Sequence, residues 1–134
     1  MVKFPEQSSI YWFDPEPVKG SELRKVRPCI VVSPNEMNRK LSTILVVPLA
    51  STIRPWPFRV SISVLGQKAS AACDQLRVIN KTRLRAHIGN LKKQTMNNCL
   101  ACFNQYYLNR FTEYMLGRWV HEVADKIGYK FFLD

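Results

Sequence analysis

The apolar residues of this chain change their spacing once. As far as about residue 80 they come in short runs and alternations: Ile10-Tyr11-Trp12-Phe13, Pro28 to Ser33, Ser42 to Val47, and Phe58 to Val64, where apolar and polar residues alternate. A period of two is that of a half-buried strand. A further strand of small residues is predicted from Ala69 to Asp74, and Val78-Ile79 leads into a basic segment. The breaks between runs carry turn chemistry. Asp14 to Gly20 holds two prolines and a glycine, Pro34 and Pro48 stop two of the runs, Pro48 to Pro57 reads as a long loop, and Gly66 marks a turn. Strands this short and this closely spaced predict a small barrel or sandwich.

Beyond about residue 95 the spacing becomes helical. Met96, Leu100, Phe103 and Tyr107 share one face, with Thr95 as the expected N-cap. A second helix is predicted from Thr112 to Ile127, with Leu116, Val120 and Val123 on its apolar face and Gly128 as its stop. The apolar tail from Tyr129 to Leu133 is expected to pack on the domain or on a partner. The predicted class is therefore mainly β with C-terminal helices (α+β). Residues 1–109 form the main domain and 110–134 a helical extension packed on it.

Charge changes this picture most. Twenty Lys and Arg against ten Asp and Glu give +10 in 134 residues. From Met37 to Thr112 the only carboxylate is Asp74, among twelve cationic side chains. A field of one sign on so small a domain favours a polyanionic partner. No run approaches the roughly 18 apolar residues of a membrane span, and the N-terminus lacks the apolar stretch of a secretion signal, so a cytoplasmic protein is expected. The chain has no glycine-rich phosphate loop and no carboxylate pair spaced for metal-dependent nuclease chemistry. Cys99 and Cys102 form a CxxC pair inside a helical pattern, and with Cys29 and Cys73 they read as core thiols. His87 and His121 read as packing or surface residues. No metal and no cofactor is expected.

Four segments, in order, carry a resemblance. They are IYWFDPEPVKGSE at 10–22, RPCIVVSP at 27–34, VVPLASTIRPWPF at 46–58 and DQLRVINKTRLRAHIGNL at 74–91. Together they resemble the MazF/PemK family of toxins, over about Ile10 to Leu108. That resemblance implies an SH3-like small barrel of the MazF/PemK/CcdB type and a homodimer. It implies a metal-independent endoribonuclease that cuts single-stranded mRNA through the ribose 2′-OH and is neutralised by an acidic antitoxin. Arg27 matches the family's catalytic arginine, a planar and permanently charged donor suited to a phosphorane. The family's second catalytic position, a Thr or Ser, falls on Ala50, and Ser51 and Thr52 either supply the hydroxyl or only cap a turn. An arginine that some relatives carry two residues before the acid falls on Ala72. Asp74 is either a candidate base or the ion-pair partner of Arg77. Gln75 lies where relatives read an RNA base, an edge that a side-chain amide can match. Lys19, Ser21 and Glu22 match family residues near the groove. Arg77, Lys81, Arg83 and Arg85 are expected to steer phosphates, and Trp56 to stack on an unpaired base or else to pack in the core or a dimer contact. Two alternatives follow from the same residues: an inactive RNA- or protein-binding module, favoured by Ala50 and Ala72, and a gyrase-poisoning relative of the fold.

Overall fold

The structure is a computed structural model and describes residues 4–15 and 26–109. Seven strands run β1 (Ser9–Phe13), β2 (Arg27–Val31), β3 (Thr43–Ala50), β4 (Arg59–Val64), β5 (Gln67–Ala72), β6 (Arg77–Asn80) and β7 (Leu84–Asn90). A short helix α1 (Asn35–Lys40) follows β2, and helix α2 (Lys93–Phe103) follows β7. The chain divides into two compact units, 1–99 and 100–134. The expected Lys19, Ser21 and Glu22 contacts, the second helix and the extension at 110–134 lie outside the described residues.

The strands form one curled antiparallel sheet in the order β4-β5-β3-β2-β1-β7, with β6 also paired to β3. β3 makes the curl. Its first half, Thr43 to Val46, pairs with β6, and its second half, Leu49-Ala50, pairs with β5. The other edge of β3 stays on β2, with Cys29 opposite Pro48. Pro48 was expected to stop this strand, yet the strand continues through it to Ala50. The proline falls in the gap between the β6 and β5 pairings, where the lost N–H interrupts no ladder on that side.

Burial follows strand position. β2 and β3 are central and covered on both faces, so CIV and VVPL are buried as continuous apolar runs. β4 is an edge strand that buries Ile62 and exposes Ser61 and Ser63. The core comprises Phe13, Cys29, Val31, Ile44, Val46 and Ile79, with Tyr11 and Leu84 packed against it. Burial pushes the Cys29 thiol up to about 12, which leaves it an inert core group. Leu65 and Gly66 link β4 to β5, both at positive φ (51° and 77°), as a two-residue hairpin turn of the type I′ class requires.

Three expectations shift. The strand predicted to reach Asp74 ends at Ala72, and Cys73–Gln75 forms a 3-10 turn. The basic segment after Ile79 becomes β7, an edge strand whose exposed residues mask its alternation. α2 begins two residues before the predicted cap, Thr95, with Met96 N–H donating to Lys92 O at 3.0 Å. α1 is held by a buried polar knot: Ser33 Oγ donates to Asn38 Oδ1, and Asn38 Nδ2 donates to Ser33 O at 2.9 Å. Among the described residues no helix is long and apolar enough to cross a membrane.

Candidate active site

The curl leaves a concave groove of about 420 Å³ whose walls include Trp12, Arg27, Pro28, Ala50, Ser51 and Lys68. Arg27 is the first residue of β2, opposite Phe13 of β1, so a regular ladder fixes its backbone. Ser51 follows the last residue of β3. Of the two hydroxyl candidates, Ser51 lines the groove with Arg27, while Thr52 is an exposed loop residue outside its lining. Ala50 is a wall of the same groove, next to Ser51. Among the described residues Arg27 has no ion-pair partner, which leaves its charge for a ligand. Lys68 adds a second cation. Nothing in the sequence singled it out: it is one exposed lysine in a strand of small residues, and only the curl of β5 places it there.

The other predicted residues fall into two separate groups. Of the two readings of Asp74, a candidate base or the ion-pair partner of Arg77, the structure corrects the second: its partner is Arg59. Arg59 donates to both carboxylate oxygens of Asp74, Nε to Oδ1 at 2.6 Å and Nη2 to Oδ2 at 3.0 Å. The 3-10 turn after β5 leaves Asp74 near β4, and Arg59 stands opposite Ala72 in the β4–β5 ladder. The hydrogen bonds from Arg59 hold the Asp74 carboxyl below the usual carboxylate range. A carboxylate so held has little affinity for a proton, which argues against the role of base. The Arg59 guanidinium also lies 5.1 Å from the Trp56 ring, Arg54 lies 5.3 Å from it, and Phe58 packs beside it at 5.6 Å. Trp56 is 42% exposed, a surface ring flanked by cations rather than a core residue. Gln75 is exposed next to Asp74.

The second group converges on Asp14 and Pro15. Arg77 Nη2 donates to Pro15 O at 3.0 Å, Arg83 Nη1 donates to the same carbonyl, and Arg85 Nη2 pairs with Asp14 Oδ2 at 3.2 Å. Arg77 also lies 5.9 Å from the Phe13 ring. Arg85 further donates to Thr82 O at 2.9 Å. Lys81 is half-buried in the 3-10 turn between β6 and β7. None of these residues lines the Arg27 groove.

The sequence profile of the "PemK-like, MazF-like toxin of type II toxin-antitoxin system" family matches residues 6–107. The chain belongs to that family. It is similar to the endoribonuclease toxin MazF of Escherichia coli (strain K12), 35% identical over 75 residues, which cover 56% of this chain and 68% of that protein. Among solved structures it resembles MazE–MazF from Deinococcus radiodurans, with a TM-score of 0.67 at 20% identity over 75% of this chain and 93% of that one. It also resembles an endoribonuclease in complex with its cognate antitoxin from a mycobacterial species, with a TM-score of 0.60 at 20% identity over 78% and 93%. At those identities the structural likeness establishes the fold, the curled sheet and following helix of MazF toxins. Within this PemK/MazF-like chain the family's RP motif supplies Arg27 to the groove, and its Val-Pro strand end supplies Ser51.

Proposed function

We propose that the protein is a sequence-specific, metal-independent endoribonuclease toxin that cleaves single-stranded mRNA, and that a cognate antitoxin neutralises it. The observation that carries this reading is the meeting of Arg27 and Ser51 in one cationic groove, in a chain of this family. RNA brings its own nucleophile. The 2′-oxygen attacks the adjacent phosphorus and the P–O5′ bond breaks. The 2′-OH loses its proton and the departing O5′ gains one, leaving a 2′,3′-cyclic phosphate and a 5′-hydroxyl. The protein has to align the strand and neutralise charge building on the phosphoryl oxygens. Arg27 provides a charged donor fork for those oxygens, and the Ser51 hydroxyl provides a further donor beside it. Trp56 offers a face for an unpaired base and Gln75 an edge reader, while Lys81 adds to the local field.

Of the two substitutions that favour an inactive module, the one at Ala50 has a hydroxyl beside it in Ser51, whereas the guanidinium opposite Ala72, that of Arg59, is bound to Asp74. The partner surfaces of this reading are the basic face, which suits an acidic antitoxin, and a second copy of the chain in a homodimer. Acting on mRNA places the toxin in the cytoplasm. The test is incubation of the purified protein with a long, weakly structured RNA in EDTA, with the fragment ends identified. Cuts at a few short motifs with cyclic phosphate ends are expected. Intact RNA, or ends bearing 5′-phosphate, would overturn the reading.

A further inference from the structure

A second hollow of about 520 Å³ lies beside the Arg27 groove. The two share walls on three elements. Lys68 of β5 lines both. On β7, Ile88 lines the first and Asn90 the second, two residues apart. On the β3–β4 connection, Ser51 lines the first and Ile53 the second. Three independent segments thus pass from one hollow to the next in step, with Lys68 at the junction. They are two chambers of one groove.

The lining of the second chamber defines what fits it. Ile53, Ile62 and Leu91 give it apolar surface, Ser61, Ser63, Asn90 and Thr95 give it hydroxyl and amide groups, and Lys68 and Lys92 give it two cations with no carboxylate. Apolar surface suits the face of a base, hydroxyls and amides suit its edges, and ammonium groups suit its phosphates. Ser63 and Lys68, both in the lining, are exposed and directly opposed in the β4–β5 ladder.

We propose that this second chamber is a nucleotide subsite next to the cleaved bond, and that Lys68 binds the phosphate joining the two chambers. The proposal rests on the ribonuclease reading and adds where the flanking RNA lies and which residues set part of its sequence preference. A strand whose scissile phosphate meets Arg27 runs into the second chamber at its next nucleotide. An extended acidic peptide would also meet two lysines there. Lys68, which lines both this hollow and the Arg27 groove, favours the RNA strand.

The test uses the full chain and short DNA oligomers carrying one ribonucleotide at a mapped cleavage site, trimmed one nucleotide at a time from each end. Removing the nucleotide that fills the second chamber is expected to lower kcat/KM by about tenfold, the scale of one lost base contact. Ser63→Tyr, which fills the chamber from an exposed strand position, should impose the same loss on the full oligomer and little more on the trimmed one. Lys68→Gln should weaken binding of all sequences alike and reduce the salt dependence by about one phosphate contact. Ser63→Tyr and Lys68→Gln proteins that cut full and trimmed oligomers as the wild type does would overturn the subsite. So would variants that alter only neutralisation by an acidic antitoxin peptide, which would assign the chamber to the protein partner. Wild-type protein that cuts no oligomer would instead bring down the ribonuclease reading, and the subsite with it.

Discussion

Two sets of arginines in this molecule carry the same charge and do different things. Arg27 projects into an open groove and has no ion-pair partner among the described residues. Arg77, Arg83 and Arg85 converge instead on the carbonyl of Pro15 and the carboxylate of Asp14, and Arg59 is bound to Asp74 through two hydrogen bonds. A guanidinium whose donors are already spent on internal acceptors fixes the backbone at those acceptors, and offers fewer donors to a phosphate. The lesson concerns net charge. A net charge of +10 attracts a polyanion, but only the fold tells which of the twenty cationic side chains are spare and which hold the protein together.

This contrast can be broken at several points. The largest effect is expected at Arg27: replacing it by alanine should lower the rate of RNA cleavage by about 10²- to 10³-fold, with an unchanged melting temperature, in single-turnover assays. Next comes the hydroxyl pair. Ser51→Ala should slow cleavage by roughly tenfold or more, the worth of one hydrogen bond to a charged group, and Thr52→Ala should leave it near wild type. If Thr52→Ala were the slower of the two, the assignment of the hydroxyl would reverse.

Smaller effects belong to the internal arginines. Arg83→Ala removes a donor from the Pro15 carbonyl and should cost about 1 kcal/mol of stability in denaturant titrations. The Arg59–Asp74 pair should matter least. Asp74 has a side chain 34% exposed, so solvent screens the pair and Asp74→Asn should cost under about 1 kcal/mol. Its sign with pH is fixed. Because the folded carboxyl lies below the ordinary value, its contribution is present above about pH 4 and is lost as pH falls through the depressed value. Asp74→Asn should therefore flatten the acid limb of a stability–pH curve. It should also leave the pH dependence of cleavage unmoved, whereas loss of that dependence would restore Asp74 as the base.

The fold was largely legible in the sequence because its signals were local. Alternation at Phe58 to Val64, the apolar runs of β2 and β3, and the turn at Gly66 each reflect burial or backbone geometry at their own positions. Where expectation and structure part, a non-local fact decides. Pro48 sits inside a strand because that strand changes partners there, and β7 was hidden because an edge strand exposes its charged and small residues. The site divides in the same way. Arg27 and Ser51 could be named from motif positions, but the choice of Ser51 over Thr52 needed the shape of the groove. The partner of Asp74 depended on a 3-10 turn and a cross-strand neighbour, neither of which is written in the DQxR motif. Lys68 needed the curl of the whole sheet.

On the proposed function Arg27 acts on RNA while its internal counterparts act on the protein. The most direct measurement compares Arg27→Ala and Arg83→Ala on one oligomer in EDTA, under conditions where both variants are folded, with the cyclic phosphate product followed in a single turnover. Arg27→Ala is expected to lose about 10²-fold or more of the rate and Arg83→Ala to stay within about tenfold of wild type. Equal losses in the two variants, or a larger loss at Arg83, would contradict that division of roles.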